Sequence, residues 1–297
     1  EMKKRINNLV GGYKKISKLP LILSTLPMSY EIDLLDLNIA VSYRKTVEEI
    51  NSIIFKCNNN YINVYLFDFV AWSALFGRDA FNRKMDFFAR QPISAKAIGS
   101  FANAIARTLR PFVLPNSKVI ALDLDNVLWG GILAEDGLQG IKIGYDFPGN
   151  IYYSIQKFIL KLKNRGFLLV LLSKNNINDV KKAFSELPYM PLKFNNFDAV
   201  QVNWNDKYKN IKKIAEDFNL GLDSFVFVDD QHFEQEQMKY NLPQVKILPV
   251  TEDPLSILTS LEKCWFFDQL TISSEDMIRS KDYSIETKRI SLKKSIK

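Results

Sequence analysis

At 297 residues, 47% hydrophobic and 25% charged, the chain carries enough apolar material for one large domain or two ordinary ones, which excludes a disordered or collagen-like polymer. Its formal charge of +7 is concentrated at the ends, where residues 1–18 and 278–297 each carry +5 and leave the interior at −3, so the body offers no basic surface for nucleic acid. No apolar run approaches the roughly 20 residues of a spanning helix, and residues 1–20 carry charges where a signal peptide needs an apolar core, which argues against a membrane or export.

In chain order, Leu21 to Leu26 and Ile62 to Phe67 read as buried strands, and Val47, Ile50, Ile53 and Ile54 mark one face of a helix between them. A second helical stripe runs through Ile98, Phe101, Ile105 and Leu109. Two prolines, Pro111 and Pro115, then interrupt the periodicity, and a domain junction is expected there. Beyond it, short continuous apolar runs recur at Val119 to Leu122, Phe167 to Leu172, Ala199 to Val202, Phe225 to Val228 and Val245 to Leu248. Helical segments separate them, one with a face at Ile151, Ile155, Phe158, Ile159 and Leu162, another at Ile211, Ile214, Ala215 and Phe218. Continuous rather than alternating apolar strands suit a parallel sheet buried on both faces, so the fold class is α/β, a doubly wound parallel sheet preceded by a smaller α/β domain. The expected boundaries are 1–115, 116–275 and a basic tail at 276–297. The two basic ends are solvated tails or a docking surface for an acidic partner.

In such a sheet, ligands bind beyond the carboxyl ends of the strands. Polar residues follow four successive strands there: Asp123, Asp125 and Asn126; Ser173, Lys174 and Asn175; Asn203 through Asp206 to Lys207; and Asp229-Asp230. With one histidine, His232, and two distant cysteines, Cys57 and Cys264, neither a multi-histidine nor a thiolate metal site can be built, no disulfide framework is indicated, and a reducing cytoplasm is the expected compartment. Any metal ligands are oxygen. Clustered carboxylates repel unless a cation joins them, and Mg²⁺ takes oxygen ligands while leaving room for a phosphate. The set therefore fits magnesium-dependent phosphoryl transfer, with metal held among Asp123, Asp125, Asp229 and Asp230. Asp123 is the candidate nucleophile and Asp125 the candidate general acid and base. Ser173 and Lys207 would hold the phosphoryl oxygens, Lys207 at a predicted helix start.

Asp123-x-Asp125-x-Val127, Ser173, Lys207 and Asp229-Asp230 resemble, in order, the four motifs of the haloacid dehalogenase (HAD) superfamily of phosphotransferases. Trp129-Gly130-Gly131, Glu135-Asp136-Gly137-Leu138, Ser173-Lys174-Asn175 and Asn203-Trp204 resemble more narrowly its FkbH-like subfamily, with a likeness running from about Asp68 to about Arg289 and including Phe76-Gly77-Arg78-Asp79. The resemblance implies a Mg²⁺-dependent enzyme of polyketide or nonribosomal pathways. Such an enzyme dephosphorylates a phosphoglycerate, usually 1,3-bisphosphoglycerate, and loads the glyceryl unit on the phosphopantetheine thiol of an acyl carrier protein. It also points to Asn126, Trp129, Gly130, Lys174 and Asn175 as substrate-binding, and to the N-terminal domain as a reduced hydrolase-like unit.

Only 47 residues separate Asp125 from Ser173, and 21 separate Lys207 from Asp229. Neither interval holds a full cap domain, so the pocket is expected to be open to a macromolecule or covered by the N-terminal domain. The chain departs from the subfamily at Leu172, where many members carry Cys, and at Gln231-His232 and Glu234-Gln235, where Asn-Pro and Glu-Arg are usual. Cys57 and Cys264 read as buried thiols and His232 as a loop residue. A plain phosphatase of a soluble phosphorylated acid and an inactive docking domain of a synthase are the alternatives.

Overall fold

The structure, a computed structural model, describes residues 2–27 and 43–270. The expected basic tail at 276–297 lies outside them. The described residues divide into two compact units with the boundary between Val113 and Leu114. No helix among them is long and apolar enough to cross a membrane.

The first unit runs α1 (Met2–Ile16), β1 (Leu21–Ser24), α2 (Tyr43–Asn60), β2 (Val64–Phe67), α3 (Phe69–Phe76), α4 (Arg83–Ala89) and α5 (Ile98–Val113). β1 and β2 pair in parallel from Leu21 against Val64. Both strands are shorter than the expected runs and mostly half-buried, since two strands present little surface to cover. Val10, Cys57 and Val64 centre one small core, and an aromatic cluster of Phe69, Trp72, Phe81 and Phe101 forms another. Helix α5 differs from its expected stripe: Phe101 packs on Phe67 and Trp72, and Phe112 on Tyr65, while Ile98, Ile105 and Leu109 remain exposed. The apolar arc is wider than the surface these contacts cover. Pro111 lies inside the last turn of α5 instead of ending it, a position where the missing donor removes one bond rather than a ladder.

The second unit begins with β3 (Val119–Leu122), α6 (Leu133–Gly140), α7 (Gly149–Asn164), β4 (Leu168–Ser173) and α8 (Ile177–Glu186). It continues with β5 (Ala199–Val202), α9 (Lys207–Phe218), β6 (Phe225–Val228), α10 (His232–Asn241), β7 (Lys246–Ile247) and α11 (Pro254–Lys263). The five strands form one parallel sheet in the order β5-β4-β3-β6-β7. β7 is shorter than the expected run Val245 to Leu248, as suits an edge strand.

Strand residues alternate between two cores. Ile120, Leu122, Leu169, Leu171, Val226 and Val228 meet Ile155 and Ile159 of α7, Val180 and Phe184 of α8, and Ile257 and Leu261 of α11. Val119, Ala121, Leu168, Val170, Phe225 and Phe227 meet Ile211, Ile214 and Phe218 of α9 and Met238 of α10. Full burial of a side chain such as Phe225 contributes roughly 1.5–3 kcal/mol, and both faces are covered, which is what stabilises an all-parallel sheet. The chain leaves β5 at one edge and crosses on the α9 side to β6, beside β3. The sequence order therefore reverses between β3 and β6, and the carboxyl ends of these two strands are the switch point at which such sheets bind ligands. Between Asp125 and Ser173 stand α6, α7 and strand β4; between Lys207 and Asp229 stand α9, a short 3₁₀ turn at Leu222–Ser224 and strand β6, so there is no full cap at either place.

Candidate active site

Asp123 is the first residue past β3. Its N–H donates to the carbonyl of Val228 (3.0 Å), so the β3–β6 ladder extends one step and brings Asp123 beside Asp229. Lys207, the first residue of α9, enters from the crossing connection. Its Nζ lies 3.0 Å from Asp123 Oδ1 and 2.5 Å from Asp229 Oδ2, and all three side chains are buried. The positive end of the α9 dipole lies at the same place. Asp229 Oδ1 accepts from the N–H of Gln231 (3.0 Å), which fixes its rotamer.

Oxygens of Asp123, Asp229 and Asp230 come within 4.8 Å of one another. Burial raises the Asp123 pKa against the pull of Lys207. Burial first, and the Asp123 charge second, push Asp229 up to about 7 and Asp230 up to about 6. Burial disfavours the Lys207 ammonium, but the Asp123 and Asp229 carboxylates outweigh it and its pKa is raised. One ammonium thus stands among three buried carboxylates and pairs with two of them, Asp123 and Asp229. Asp230 Oδ1 is buried with no hydrogen-bond partner, an unfavourable state for an acceptor unless a cation meets it. Three hard oxygen donors, an excess of negative charge and an orphaned acceptor fit a divalent cation such as Mg²⁺.

Asp125, expected among the metal ligands, is not in this cluster. Its Oδ1 accepts from the Trp129 indole N–H (2.9 Å) and the Leu133 N–H (3.1 Å), and its Oδ2 from the Asn175 amide (2.8 Å). Three donors hold its carboxylate outside the acidic cluster, near enough for its charge to add to the rise of the Asp123 pKa. Asn175 also donates to Ser173 Oγ (3.0 Å), at the end of β4, so the second strand's loop is tied to the first's.

Three of the residues expected to bind substrate are buried. Trp129 is fully buried, stacked edge-on against Phe184, and acts on Asp125 through its N–H. Gly130 pairs with Lys142 as an isolated bridge, and a Cβ there would lie 2.7 Å from the Tyr152 ring, so glycine is required by close packing. Asn175 is buried with its amide on Asp125 and Ser173. Asn126 adopts a left-handed φ of 55° and accepts from the Gly131 N–H (2.9 Å), which shapes the turn after Asp125. Lys174 reaches Glu234 on α10 at 2.6 Å.

Two participants entered the sequence analysis only as a departure from the subfamily pattern, with no role assigned to them. Glu234 is a buried carboxylate whose partner is Lys174, and Gln235 donates from Nε2 to the carbonyls of Asp229 (2.7 Å) and Val250 (3.2 Å), bracing the acidic turn from behind. Both lie within helix α10, where spacing alone does not separate an inward polar side chain from a solvated one. His232 is exposed at the start of α10, Trp204 is 73% exposed after β5, and Leu172 belongs to the core. Cys57 and Cys264 are buried and lie outside any disulfide.

No protein-family model matches the chain, and no curated protein matches it. Among solved structures it is similar to the N-terminal part of the protein BF1531 from Bacteroides fragilis, which contains a phosphatase domain and was crystallised with Mg. That likeness has a TM-score of 0.79 at 25% identity and covers 91% of this chain and 74% of the other. Two further likenesses are slight. A HAD-family enzyme from Bacteroides thetaiotaomicron, complexed with magnesium and inorganic phosphate, matches at TM-score 0.33 and 16% identity over 46% of this chain and 96% of that one. A 3-deoxy-D-manno-octulosonate 8-phosphate phosphatase from Moraxella catarrhalis matches at 0.31 and 12% over 59% and 93%. The likeness to the Bacteroides fragilis structure supports the HAD-like, doubly wound fold of the second unit.

Proposed function

We propose that this chain is a Mg²⁺-dependent HAD phosphatase acting on a small phosphorylated acid through an aspartyl-phosphate at Asp123. The observation that carries this reading is the cluster of Asp123, Asp229 and Asp230 around Lys207 at the carboxyl ends of β3 and β6. The Mg in the Bacteroides fragilis structure supports the same ion here. When bound among Asp123, Asp229 and Asp230, Mg²⁺ supplies a Lewis acid that offsets charge on the phosphoryl oxygens.

The chain's own residues do the rest. An Asp123 carboxylate oxygen attacks phosphorus, the bond to the leaving oxygen breaks, and the leaving oxygen takes a proton from Asp125. Asp125 Oδ1 already accepts two hydrogen bonds and Oδ2 one, so Oδ2 has the room to carry that proton. Asp125 then takes a proton from water as the water oxygen attacks the same phosphorus, releasing phosphate and restoring Asp123. Lys207 and the start of α9 face the phosphoryl oxygens with positive charge throughout.

Phosphate release from p-nitrophenyl phosphate and acetyl phosphate, with Mg²⁺ and with a chelator, tests this. Release is expected to need Mg²⁺ and to vanish in Asp123→Asn with the fold retained; undiminished release by that variant removes Asp123 from its role.

A second, narrower reading is FkbH-like loading of a glyceryl unit from 1,3-bisphosphoglycerate on an acyl carrier protein. The Trp129-Gly130-Gly131 and Asn203-Trp204 elements support it, as do the missing cap and the exposed Trp204 on the loop leading to Lys207. Buried Leu172 offers no thiol, so the acyl group would pass directly to the carrier thiol. Intact mass of a phosphopantetheinylated carrier protein incubated with the chain, Mg²⁺ and 1,3-bisphosphoglycerate decides the matter. A glyceryl mass gain absent with Asp123→Asn supports loading, and phosphate release without a gain leaves the plain phosphatase.

A further inference from the structure

The three clustered carboxylates are held in different ways. Lys207 pairs with Asp123 and with Asp229, and Gln231 N–H fixes the second of these. Asp230 is met instead by its own backbone N–H and by the side chain of Asn126, which comes from the loop after β3. Its Oδ1 is buried without a partner, so the Asn126 bond falls on the other oxygen.

A carboxylate only accepts hydrogen bonds, so the donor is the Asn126 amide N–H. The opposite end of that amide is already taken, because Asn126 Oδ1 accepts from the Gly131 N–H at 2.9 Å. The backbone that carries it is fixed as well. Asn126 stands at a φ of 55°, and two isolated bridges, Asp125 with Trp129 and Gly130 with Lys142, close the loop around it. A left-handed backbone alone would be met by glycine. The amide does something more: pinned by its oxygen within the β3 loop, it presents its N–H to a carboxylate that follows β6. Hydrogen bonds of this kind orient the carboxylates that ligate a metal, and losing one weakens metal binding.

We propose that Asn126 is a positioning residue for the metal site, its amide holding one oxygen of Asp230 and leaving Oδ1 for the ion, in place of the substrate contact that the resemblance implies. Asn126 itself makes no contact with the ion. The proposal rests on the metal reading of the acidic cluster and names the residue outside that cluster which sets its affinity.

The test is binding of Mn²⁺ alone to the metal-free chain, followed by the loss of the free-ion signal in electron paramagnetic resonance; Mn²⁺ takes the same oxygen ligands as Mg²⁺. Asn126→Gly keeps the left-handed turn and removes the amide, and it is expected to weaken binding by about tenfold or more with the fold retained. Asn126→Ser, which also lacks the amide on a less flexible backbone, is the second variant and has the same expected loss. An affinity within about twofold of wild type in either folded variant overturns the proposal. A role confined to the turn is separated by repeating Asn126→Gly in an Asp230→Asn background, where a residue acting through Asp230 should change the affinity by less than about twofold. An equal loss in both backgrounds places the effect in the turn and overturns the proposal. No Mn²⁺ binding by the wild-type chain overturns the metal reading and this proposal with it, whereas wild-type binding that Asn126→Gly leaves unchanged overturns the proposal alone.

Discussion

Lys207→Met removes a charge while nearly preserving side-chain length and volume. In the wild type the ammonium lies 3.0 Å from Asp123 and 2.5 Å from Asp229, with Asp230 in the same cluster. Without it the carboxylates face one another with no compensating charge. Removing one partner of a buried ion pair costs about 3–5 kcal/mol, and here two carboxylates lose the same partner. Proton uptake offsets part of this, because Asp229 already titrates at about 7 with Lys207 in place. At pH 8 without metal the offset is smallest, and at about 2–4 °C per kcal/mol the melting temperature is expected to fall by roughly 6–20 °C. Mg²⁺ restores positive charge to the same cluster, so it should raise the melting temperature of the variant by more than that of the wild type. Phosphate release is expected to drop by about 10²-fold or more, since a group facing developing phosphoryl charge is lost. The assay is thermal unfolding with and without Mg²⁺, paired with phosphate release. A metal-free melting temperature within about 2 °C of wild type at pH 8 would refute the reasoning, because the shared buried charge would then carry no measurable stability.

Trp129→Phe deletes the indole N–H on Asp125 while keeping an aromatic ring; a hydrogen bond to a charged group is worth about 1.5–3 kcal/mol, so kcat for phosphate release should fall about ten- to a hundredfold, and a rate within twofold of wild type would count against Asp125 being held for catalysis. Gly130→Ala places a methyl 2.7 Å from the Tyr152 ring and 3.1 Å from Lys142 Cβ, and denaturant unfolding should register a loss of about 1–3 kcal/mol. The Asp229 and Asp230 carboxyls, raised by burial and by Asp123, bind protons more tightly folded than unfolded. Their contribution is therefore present below the unfolded carboxylate range and lost as pH rises through about 6 to 7; the metal-free melting temperature should fall between pH 5 and 8 and saturating Mg²⁺ should flatten the fall.

Much of the second unit could be read from the sequence because a strand buried on both faces has little freedom in composition: Val119 to Leu122 and Phe225 to Val228 are apolar throughout and sit where expected. Strand ends then collect Asp123, Ser173, Lys207 and Asp229 on one edge by topology alone. What the order of residues could not reveal is how each polar side chain turns. Asp125 faces Trp129 and Asn175 rather than the other carboxylates, a choice made by an indole four residues away and an amide from another strand's loop. The Lys174–Glu234 contact spans sixty positions and has no local periodicity to announce it. In α5 the apolar period marks a helix correctly but not which flank of its arc is covered.

The central position of β3 has a consequence for how the molecule could be taken apart. Val119 pairs with Leu168 on one side and with Phe225 on the other, and the acidic cluster straddles the second pairing. A chain cut in the turn at Leu222–Ser224 would leave Asp123, Ser173 and Lys207 in one fragment and Asp229 and Asp230 in the other. Neither fragment would hold the three carboxylates, and each would expose a strand edge that the other covers. Such a pair of fragments would be a split enzyme whose turnover reports their reassembly.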